Sequence, residues 1–396
     1  MTGPVGGAGA AGAKDLEAAG PGRQSDLGAF DGAGRPAAAP RKDHLAADAG
    51  TAGLPEARHW HVQDDGRVQC DLCPRYCRLR PGQRGFCFVR QNVDGAMRLT
   101  TYGRSSGFAV DPIEKKPLYH FLPGSKVFSF GTAGCNLGCK FCQNWEISTA
   151  RDMDLLMAKA TPEQIAAAAK RAGCASVAYT YNDPVIFTEY AVDAALAARE
   201  AGLFNIAVSA GYITRPGAED LYGAMDAANI DLKSFSPSFY RQVTGGRLEV
   251  VQDTLRYLVH ETDVWTELTT LVIPGLNDSE QELDQLTRWV AEELGPDVPL
   301  HFSAFHPAAR MQDRPRTSLA TLRRARGIAL ANGLRYVYLG NVWDREGSVT
   351  ICSACQAELV VRDGYQLTKQ RIGPDGRCPD CGVPVAGVWA PPHLAD

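Results

Sequence analysis

The sequence predicts an α/β fold in which a parallel sheet is flanked along the chain by two small cysteine-rich modules. Through the middle of the chain, short apolar runs rich in β-branched and aromatic residues alternate with helical stretches, which is typical of repeated strand–helix units. Eleven of the 12 cysteines fall into three local clusters. No G-x-G-x-x-G follows a predicted strand, which argues against a dinucleotide-binding fold. We therefore expect a closed or nearly closed barrel, with a doubly wound open sheet as the alternative.

The bulk composition excludes several classes of protein. A chain of 396 residues can form one large domain of roughly 250 residues plus smaller modules. The net charge of −4 provides no basic surface for nucleic acid. There is no apolar stretch of about 18 residues for a membrane span, and no signal peptide. We expect a cytoplasmic protein without nucleic-acid or membrane partners, whose cysteines bind metals rather than form disulfides.

Composition also divides the chain into four parts. The first part is rich in Ala and Gly, has no apolar periodicity and is expected to be disordered. The predicted parts are a disordered tail (1–50), a cysteine-rich N-terminal module (58–100), a core barrel (101–345) and a zinc-ribbon-like module (346–396).

The strands and helices of the core follow from their local patterns. The predicted strands are VFSFGT (127–132), SVAYTY (176–181), FNIAVSA (204–210), NIDLKSF (229–235), WTELTTLVI (265–273), LHFSAF (300–305) and LRYVYLG (334–340). The predicted helices are 161–173, 184–202, 279–294 and 318–333. The first opens with Thr161 as N-cap, Pro162 at the first helical position and Gln164 completing a capping box. In such a fold the active site lies at the carboxyl ends of the strands.

Three cysteines, Cys135, Cys139 and Cys142, lie directly after the first core strand at C-x3-C-x2-C spacing. Thiolates favour soft or borderline metals, and a closed structural zinc site needs four ligands. A four-iron cluster held by three cysteines keeps one iron open to a substrate or cofactor. The alternatives are a zinc site whose fourth ligand lies far away in the chain, or three incidental thiols.

This spacing, with Phe141 before the last cysteine, resembles the signature of the radical S-adenosylmethionine (radical SAM) superfamily. The resemblance implies a partial (β/α)6 TIM-like barrel and a [4Fe–4S] cluster on the three cysteines. It further implies that S-adenosyl-L-methionine (SAM) binds the open iron and is cleaved reductively to a 5′-deoxyadenosyl radical. That radical would abstract hydrogen from a substrate, which in this superfamily includes proteins. A flavodoxin- or ferredoxin-like electron donor is implied as a partner.

Longer stretches resemble the radical SAM enzyme of the AmmeMemoRadiSam system, a relative of the pyruvate formate-lyase activating enzymes. They are CDLCPRYCRLRPGQRGFC (70–87), YGRSSGFAVDPIEKKPLYHFLPGS (102–125), YTYNDPVIFTEY (179–190), DLKSFSPSFYRQVTGG (231–246), LVIPGLNDSEQEL (271–283), HFSAFHPAARMQDRPRTS (301–318) and YVYLGN (336–341). This resemblance implies Memo-like and AMMECR1-like proteins as partners.

The resemblance also assigns cofactor contacts to residues at the ends of the core strands. They are Tyr181, Asn182, Asp183, Ser209, Asp231, Lys233 and His301. Relatives more often have Glu where Asp183 stands and Asn where Ala210 stands. The alternatives are a turn at N-D-P, an internal ion pair between Asp231 and Lys233, and a structural role for His301.

Two flanking cysteine sets present separate metal sites. Cys352, Cys355, Cys378 and Cys381 have the C-x2-C…C-x2-C spacing of a zinc ribbon, with a second iron–sulfur cluster as the competing interpretation. Cys70, Cys73, Cys77 and Cys87 could hold zinc or an auxiliary cluster, and their spacing does not decide between the two.

These observations favour a radical SAM enzyme that is activating-enzyme-like. The alternative is an iron–sulfur or metal-binding assembly or regulatory protein without radical catalysis. The identity of the substrate does not follow from the sequence, because specificity in such folds lies in the loops.

Overall fold

The computed structural model describes residues 54–150 and 158–390, so the predicted disordered tail lies outside the described residues. The strands are β1 (Trp60–Val62), β2 (Val68–Cys70), β3 (Arg78–Leu79), β4 (Arg90–Val93), β5 (Ala96–Leu99), β6 (Arg104–Ser105), β7 (Gly107–Pro112), β8 (Lys126–Gly131), β9 (Ala158–Lys159), β10 (Ser176–Tyr179), β11 (Phe204–Ser209), β12 (Ala227–Asp231), β13 (Trp265–Val272), β14 (Leu300–Ala304), β15 (Val337–Gly340), β16 (Thr350–Ile351), β17 (Glu358–Asp363) and β18 (Gln366–Gln370). The α-helices are α1 (Trp145–Ser148), α2 (Pro162–Arg171), α3 (Thr188–Glu200), α4 (Arg215–Tyr222), α5 (Pro237–Phe239), α6 (Leu248–Glu261), α7 (Glu280–Trp289) and α8 (Leu319–Ala331).

One large sheet forms the centre of the molecule. Within the described residues it has eight strands in the order β7, β8, β10, β11, β12, β13, β14 and β15. All neighbours from β8 to β15 pair in parallel, and β7 pairs antiparallel to β8 at one edge. No pairing joins the two edge strands in this part of the chain, which leaves the sheet open as a partial barrel requires. The predicted parallel α/β fold is confirmed, and its seven strands match the seven predicted apolar runs.

Strand β7 was not predicted, and neither were helices α4 and α6. The charge of Asp111 and the ring of Pro112 weaken the strand pattern of β7, which is stabilised by pairing with β8. Helix α4 carries Pro and Gly in its first turn. Helix α6 is rich in β-branched residues, yet it buries one face that includes Val251, Leu255 and Leu258. Packing therefore stabilises β7, whereas α4 and α6 also have local helix signals: a proline in the first turn of α4 and an apolar stripe along α6.

The predicted capping box of α2 is confirmed. The Thr161 hydroxyl accepts a hydrogen bond from the Gln164 amide, and the Gln164 side chain accepts one from the Thr161 amide. Ser279 and Ser318 cap α7 and α8 through their hydroxyl groups. These caps satisfy amide groups that have no partner within the helix.

The inner face of the sheet is covered at the amino ends of its strands by the segment 113–122. The carboxylate of Glu267 on β13 accepts hydrogen bonds from the amides of Tyr119 (3.0 Å) and His120 (2.7 Å). Asn229 on β12 donates to the carbonyl of Pro117 at 2.8 Å. Segment 113–122 does not cover the opposite, carboxyl ends of the strands, so a functional site can form there.

The C-terminal part, residues 346–390, is here called the ribbon module. Its strands β16, β17 and β18 form a three-stranded antiparallel sheet. Arg362 on β17 is fully buried; it donates to the Tyr119 carbonyl at 2.6 Å and lies 3.7 Å from the buried carboxylate of Glu114. The imidazole of His120 pairs with the Ala386 carbonyl at 2.6 Å. The ribbon module is thus fastened to segment 113–122, on the side of the sheet away from the strand carboxyl ends.

Within residues 54–150 and 158–390, no helix combines the length and the apolar character needed to cross a lipid bilayer.

Candidate functional site

The residues 132–142, here called the cysteine loop, follow β8 directly at the carboxyl end of the parallel strands. The Gly138 amide donates to the Thr244 carbonyl at 2.8 Å, and the Lys140 amide donates to the Val243 carbonyl at 3.0 Å. These bonds anchor the loop to the segment after α5. The backbone that carries the three thiols is therefore held in place by hydrogen bonds to a neighbouring segment.

The three thiols Cys135, Cys139 and Cys142 suit an iron–sulfur cluster better than a single ion. In the described part of the chain, no group of three ligand atoms that includes these thiols lies within 4.8 Å of one another. A cluster binds each thiolate to a different iron and so holds the thiolates farther apart than one ion does. Burial raises the pKa of Cys139 to about 12 although the charge of Lys233 opposes it. Metal binding must therefore displace thiol protons.

Asn182 fastens the cysteine loop to the end of β10. Its amide nitrogen donates to the Gly134 carbonyl (3.0 Å) and the Thr132 hydroxyl (3.1 Å), and its carbonyl oxygen accepts from the Thr132 amide (3.0 Å). These bonds occupy both ends of the side-chain amide. Asn182 therefore holds the cysteine loop in place against the end of β10.

Asp183 and Ser209 are also engaged with protein groups. The buried carboxylate of Asp183 accepts from the Ser209 hydroxyl (2.9 Å), the Ala210 amide (2.9 Å) and the Val185 amide (3.1 Å). Burial raises the pKa of Asp183, and these three hydrogen bonds oppose that shift. Asp183 thus ties the loop after β10 to the loop after β11, and its charge lies close enough to raise the pKa of Cys135 together with burial.

Asp231 and Lys233 come together at the carboxyl end of β12, as expected. The Lys233 ammonium lies 2.8 Å from Asp231 Oδ2 and 5.8 Å from the centre of the Phe141 ring in the cysteine loop. Burial acts to lower the pKa of Lys233, but the charges of Asp231 and Cys139 outweigh it and hold that pKa above its usual value. A third of the Asp231 side chain is exposed. The pair therefore provides a charged, accessible group beside the cysteine loop.

Tyr181 reaches a polar cluster that the sequence did not reveal as part of the site. Its hydroxyl donates to Asp111 Oδ2 at 2.9 Å, and the same carboxylate pairs with Lys116 at 2.6 Å and Lys115 at 3.0 Å. Burial lowers the pKa of Lys116 to about 8, although the Asp111 charge opposes the shift. The signal for this cluster was present in the stretch DPIEKKP (111–117), where two acidic residues and two lysines lie close together.

His301, for which the resemblance implies a cofactor contact, lies within β14 and is bonded to Glu267. It is the second residue of β14, is 2% exposed and lies 2.7 Å from Glu267 Oε2. Its ring makes an edge contact with Tyr119, which belongs to the segment that covers the amino ends of the strands. His301 is near the amino end of β14, so it lies at the end of the sheet that segment 113–122 covers, and not at the carboxyl ends of the strands.

The four C-terminal cysteines form the most compact ligand set. In residues 54–150 and 158–390, Cys352, Cys355, Cys378 and Cys381 are the one group of cysteine, histidine or carboxylate ligand atoms that all lie within 4.8 Å of one another. The Sγ atoms of Cys352 and Cys381, and those of Cys355 and Cys378, are each 3.6 Å apart. This group can hold a metal ion.

The N-terminal cysteines lie on the other side of the cysteine loop. Cys70, Cys73, Cys77 and Cys87 line one cavity together with Asn136 of that loop. Gly134 has φ +83°, and a Cβ there would lie 2.0 Å from the Cys87 carbonyl oxygen, so only glycine permits this approach. The N-terminal module and the cysteine loop are therefore in direct contact.

Comparison with known proteins agrees with this geometry. Residues 130–287 match the family model described as the Radical SAM superfamily. The chain is 40% identical over 330 residues to an uncharacterized protein of Methanocaldococcus jannaschii, a match that covers 83% of this chain and 97% of the relative.

Solved structures of radical SAM proteins are similar at low sequence identity. A radical SAM methyltransferase from Sphaerobacter thermophilus gives a TM-score of 0.45 at 17% identity, covering 72% of this chain and 76% of that one. A domain of a pyruvate-formate lyase-activating enzyme from Bacteroides vulgatus gives 0.38 at 15% identity, covering 42% and 99%. Taken with the cysteine loop at the end of β8, the family match leads to one conclusion: this chain belongs to the radical SAM superfamily and is an enzyme that uses an iron–sulfur cluster and SAM.

Proposed function

We propose that the protein cleaves SAM reductively and uses the product to abstract a hydrogen atom from a substrate held inside the open barrel. Cys135, Cys139 and Cys142 would hold the cluster, which would supply the single electron that cleaves SAM into methionine and a 5′-deoxyadenosyl radical. The electron comes from a flavodoxin- or ferredoxin-like donor. The observation that carries the proposal is the charged Asp231–Lys233 pair beside a braced loop of three thiols.

The protein's own residues have separate tasks in this proposal. Asp231 and Lys233 bind the amino-acid end of SAM, because an exposed carboxylate and an ammonium complement its ammonium and carboxylate groups. Asn182 and Asp183 position the cysteine loop and the loop after β11. The buried hydroxyl of Thr269 on β13 has no hydrogen-bond partner within the described residues, which supports a substrate with polar groups.

The subgroup and partners rest on resemblance alone. The motifs from CDLCPRYC to YVYLGN support membership of the AmmeMemoRadiSam group. On the same ground we extend the proposal to Memo-like and AMMECR1-like proteins as partners.

Lys233→Ala is expected to weaken SAM binding while leaving the cluster intact. Loss of one charged hydrogen bond costs about 1.5–3 kcal/mol, which corresponds to roughly ten- to a hundredfold in affinity. The measurement is SAM affinity and 5′-deoxyadenosine yield after anaerobic reconstitution with a one-electron reductant. The matched control is Lys170→Ala, which removes an exposed lysine of α2 that is bonded to the Ala201 carbonyl. Wild-type protein that forms no 5′-deoxyadenosine would refute the proposed function. If Lys233→Ala binds SAM with normal affinity but has a lower melting temperature, the Asp231–Lys233 ion pair has only a structural role.

For the ribbon module we propose zinc. At a Zn–S distance of about 2.3 Å, a tetrahedral site holds its sulfurs about 3.8 Å apart. The two Sγ pairs at 3.6 Å are close to that value. Two of the four thiols, those of Cys355 and Cys381, are exposed, and a module of this size has little core of its own. Zinc would therefore stabilise the fold of the ribbon module.

The double variant Cys355→Ser/Cys381→Ser is expected to lose one zinc per chain and to keep its iron. Because these two positions are exposed, the substitution changes the ligands without opening a cavity in the core. Elemental analysis of the full-length protein measures both metals, and Cys174→Ser serves as a control for removal of a thiol outside all three sets. Loss of iron in place of zinc would show that the ribbon module holds a cluster.

A further inference from the structure

We propose that Cys70, Cys73, Cys77 and Cys87 hold a second [4Fe–4S] cluster, in direct contact with the cysteine loop. These four residues are here called the N-terminal cysteine set. They come from β2, from the turn before β3 and from the segment before β4, and the fold brings all four to the wall of one cavity. The inference does not depend on the proposed reaction with SAM.

The spacing of the thiols argues against a single metal ion. A zinc ion holds four thiolates about 3.8 Å apart, as the ribbon module does. Across the described residues, no three thiols of the N-terminal cysteine set lie within 4.8 Å of one another. Four thiols that line a common cavity without meeting that distance suit a cluster, because each thiolate then binds a separate iron. The two four-cysteine sets of this chain therefore differ in the metal that they fit.

A buried cation in the cavity wall supports an anionic occupant. Arg90 lines the cavity with the four thiols and is 2% exposed. One terminal nitrogen pairs with Glu189 at 3.0 Å, and the other donates to the Arg58 carbonyl. Its Nε is buried and has no hydrogen-bond partner among the residues that the structure describes. An uncompensated buried N–H is unfavourable, so this group calls for an acceptor that the protein does not supply.

The charges around Arg90 agree with that assignment. A [4Fe–4S] cluster with four thiolates carries net negative charge, and its sulfurs accept hydrogen bonds. Arg90 would thus neutralise part of that charge and donate Nε–H to sulfur.

Backbone amides are already directed at the sulfurs. The Phe86 amide donates to Cys77 Sγ at 3.5 Å. The backbone amides of Leu72 and Arg75 are likewise directed at the thiols of Cys70 and Cys73 respectively. Amide hydrogen bonds to sulfur stabilise the thiolate form and help to set the reduction potential of iron–sulfur centres.

The cavity shares a wall with the loop that holds the first cluster. Asn136 lies between Cys135 and the rest of the cysteine loop and also lines the cavity. The guanidinium of Arg75 donates to the Asn136 carbonyl and, at 2.9 Å, to the Gly245 carbonyl. Gly134, the residue before Cys135, packs so closely against the Cys87 carbonyl that a Cβ on it would lie 2.0 Å from the carbonyl oxygen. The second cluster therefore lies beside the first rather than in a remote module.

The test is a count of iron and acid-labile sulfide in anaerobically reconstituted protein. With two clusters of four irons each, wild-type protein should contain about eight irons per chain and one zinc. The triple variant Cys135→Ala/Cys139→Ala/Cys142→Ala should keep about four irons and four sulfides. Adding Cys73→Ala and Cys77→Ala to it should remove these, whereas adding Cys174→Ala should not.

Two results would overturn the proposal. One is wild-type protein with about four irons and two zinc ions per chain, which needs no variant to fold. The other is a triple variant that contains neither iron nor sulfide and holds zinc at the N-terminal cysteine set in addition to the zinc of the ribbon module. Since neither measurement requires SAM cleavage, failure here is distinguishable from failure of the proposed reaction.

Discussion

Replacing Cys135, Cys139 and Cys142 together with alanine is expected to abolish formation of 5′-deoxyadenosine from SAM. The three thiols are the proposed cluster ligands in the loop after β8, and the cysteine loop contains no other thiol to replace them. Enzymatic rates generally exceed uncatalysed rates by roughly a million-fold or more, so the yield should fall to the detection limit. Visible absorbance should fall by the contribution of one cluster. The measurement is product yield and absorbance on the same anaerobic sample.

Cys174→Ala is the matched control for this result. Cys174 is also buried, but it lies just before β10 at the amino end of that strand and belongs to none of the three cysteine sets. Its replacement should cost about 1 kcal/mol of stability and leave product yield unchanged. A triple variant that retains activity, or a control that loses it, would show that the catalytic cluster is held elsewhere.

Arg362→Ala is expected to lower the free energy of unfolding by about 3–5 kcal/mol. Arg362 and Glu114 are both fully buried and lie 3.7 Å apart, so removal of the arginine leaves a carboxylate buried without its cation. The same substitution removes the hydrogen bond to the Tyr119 carbonyl. The ribbon module should then separate more readily from segment 113–122. Denaturant unfolding at constant zinc concentration measures the change.

Arg345→Ala provides the comparison within the same module. Arg345 is 67% exposed and pairs with Glu358 at 2.8 Å. Exposed ion pairs contribute about 1 kcal/mol or less, so this variant should unfold nearly as the wild type does. The double variant Arg362→Met/Glu114→Gln should recover part of the loss, because it removes both buried charges. Equal losses in the two single variants would contradict the role given to the buried pair.

Local patterns were sufficient to predict the elements of the core and the position of the cysteine loop. The seven parallel strands, the capping box at Thr161 and the cysteines after the first strand all depend on residues close together in the chain. The pairing of Asp231 with Lys233 followed from the two-residue period of an extended chain. In contrast, β7 depends on pairing with β8 and α6 on burial of one face, so neither was evident from propensity.

The assigned roles of individual polar residues were less predictable. Asn182 lies in the expected loop, yet its amide is occupied by Thr132 and Gly134, which are about fifty positions away in the chain. His301 lies in the expected strand, yet its position near the amino end directs it to Glu267. Which partner a polar side chain meets depends on strand register and on the segment that covers the sheet, and neither is encoded in a short motif.

By itself, the sequence determined that this is a parallel α/β protein with three local sets of cysteines, because periodicity and cysteine spacing are local properties of the chain. Only the tertiary structure decided how those sites are related. It brought Cys87 against Gly134, placed Arg90 in the wall of the N-terminal cavity, and buried Arg362 against Glu114 across 248 positions. Such contacts arise when elements distant in sequence pack to bury apolar surface, so the charges and thiols that meet are set by the packing of the whole domain.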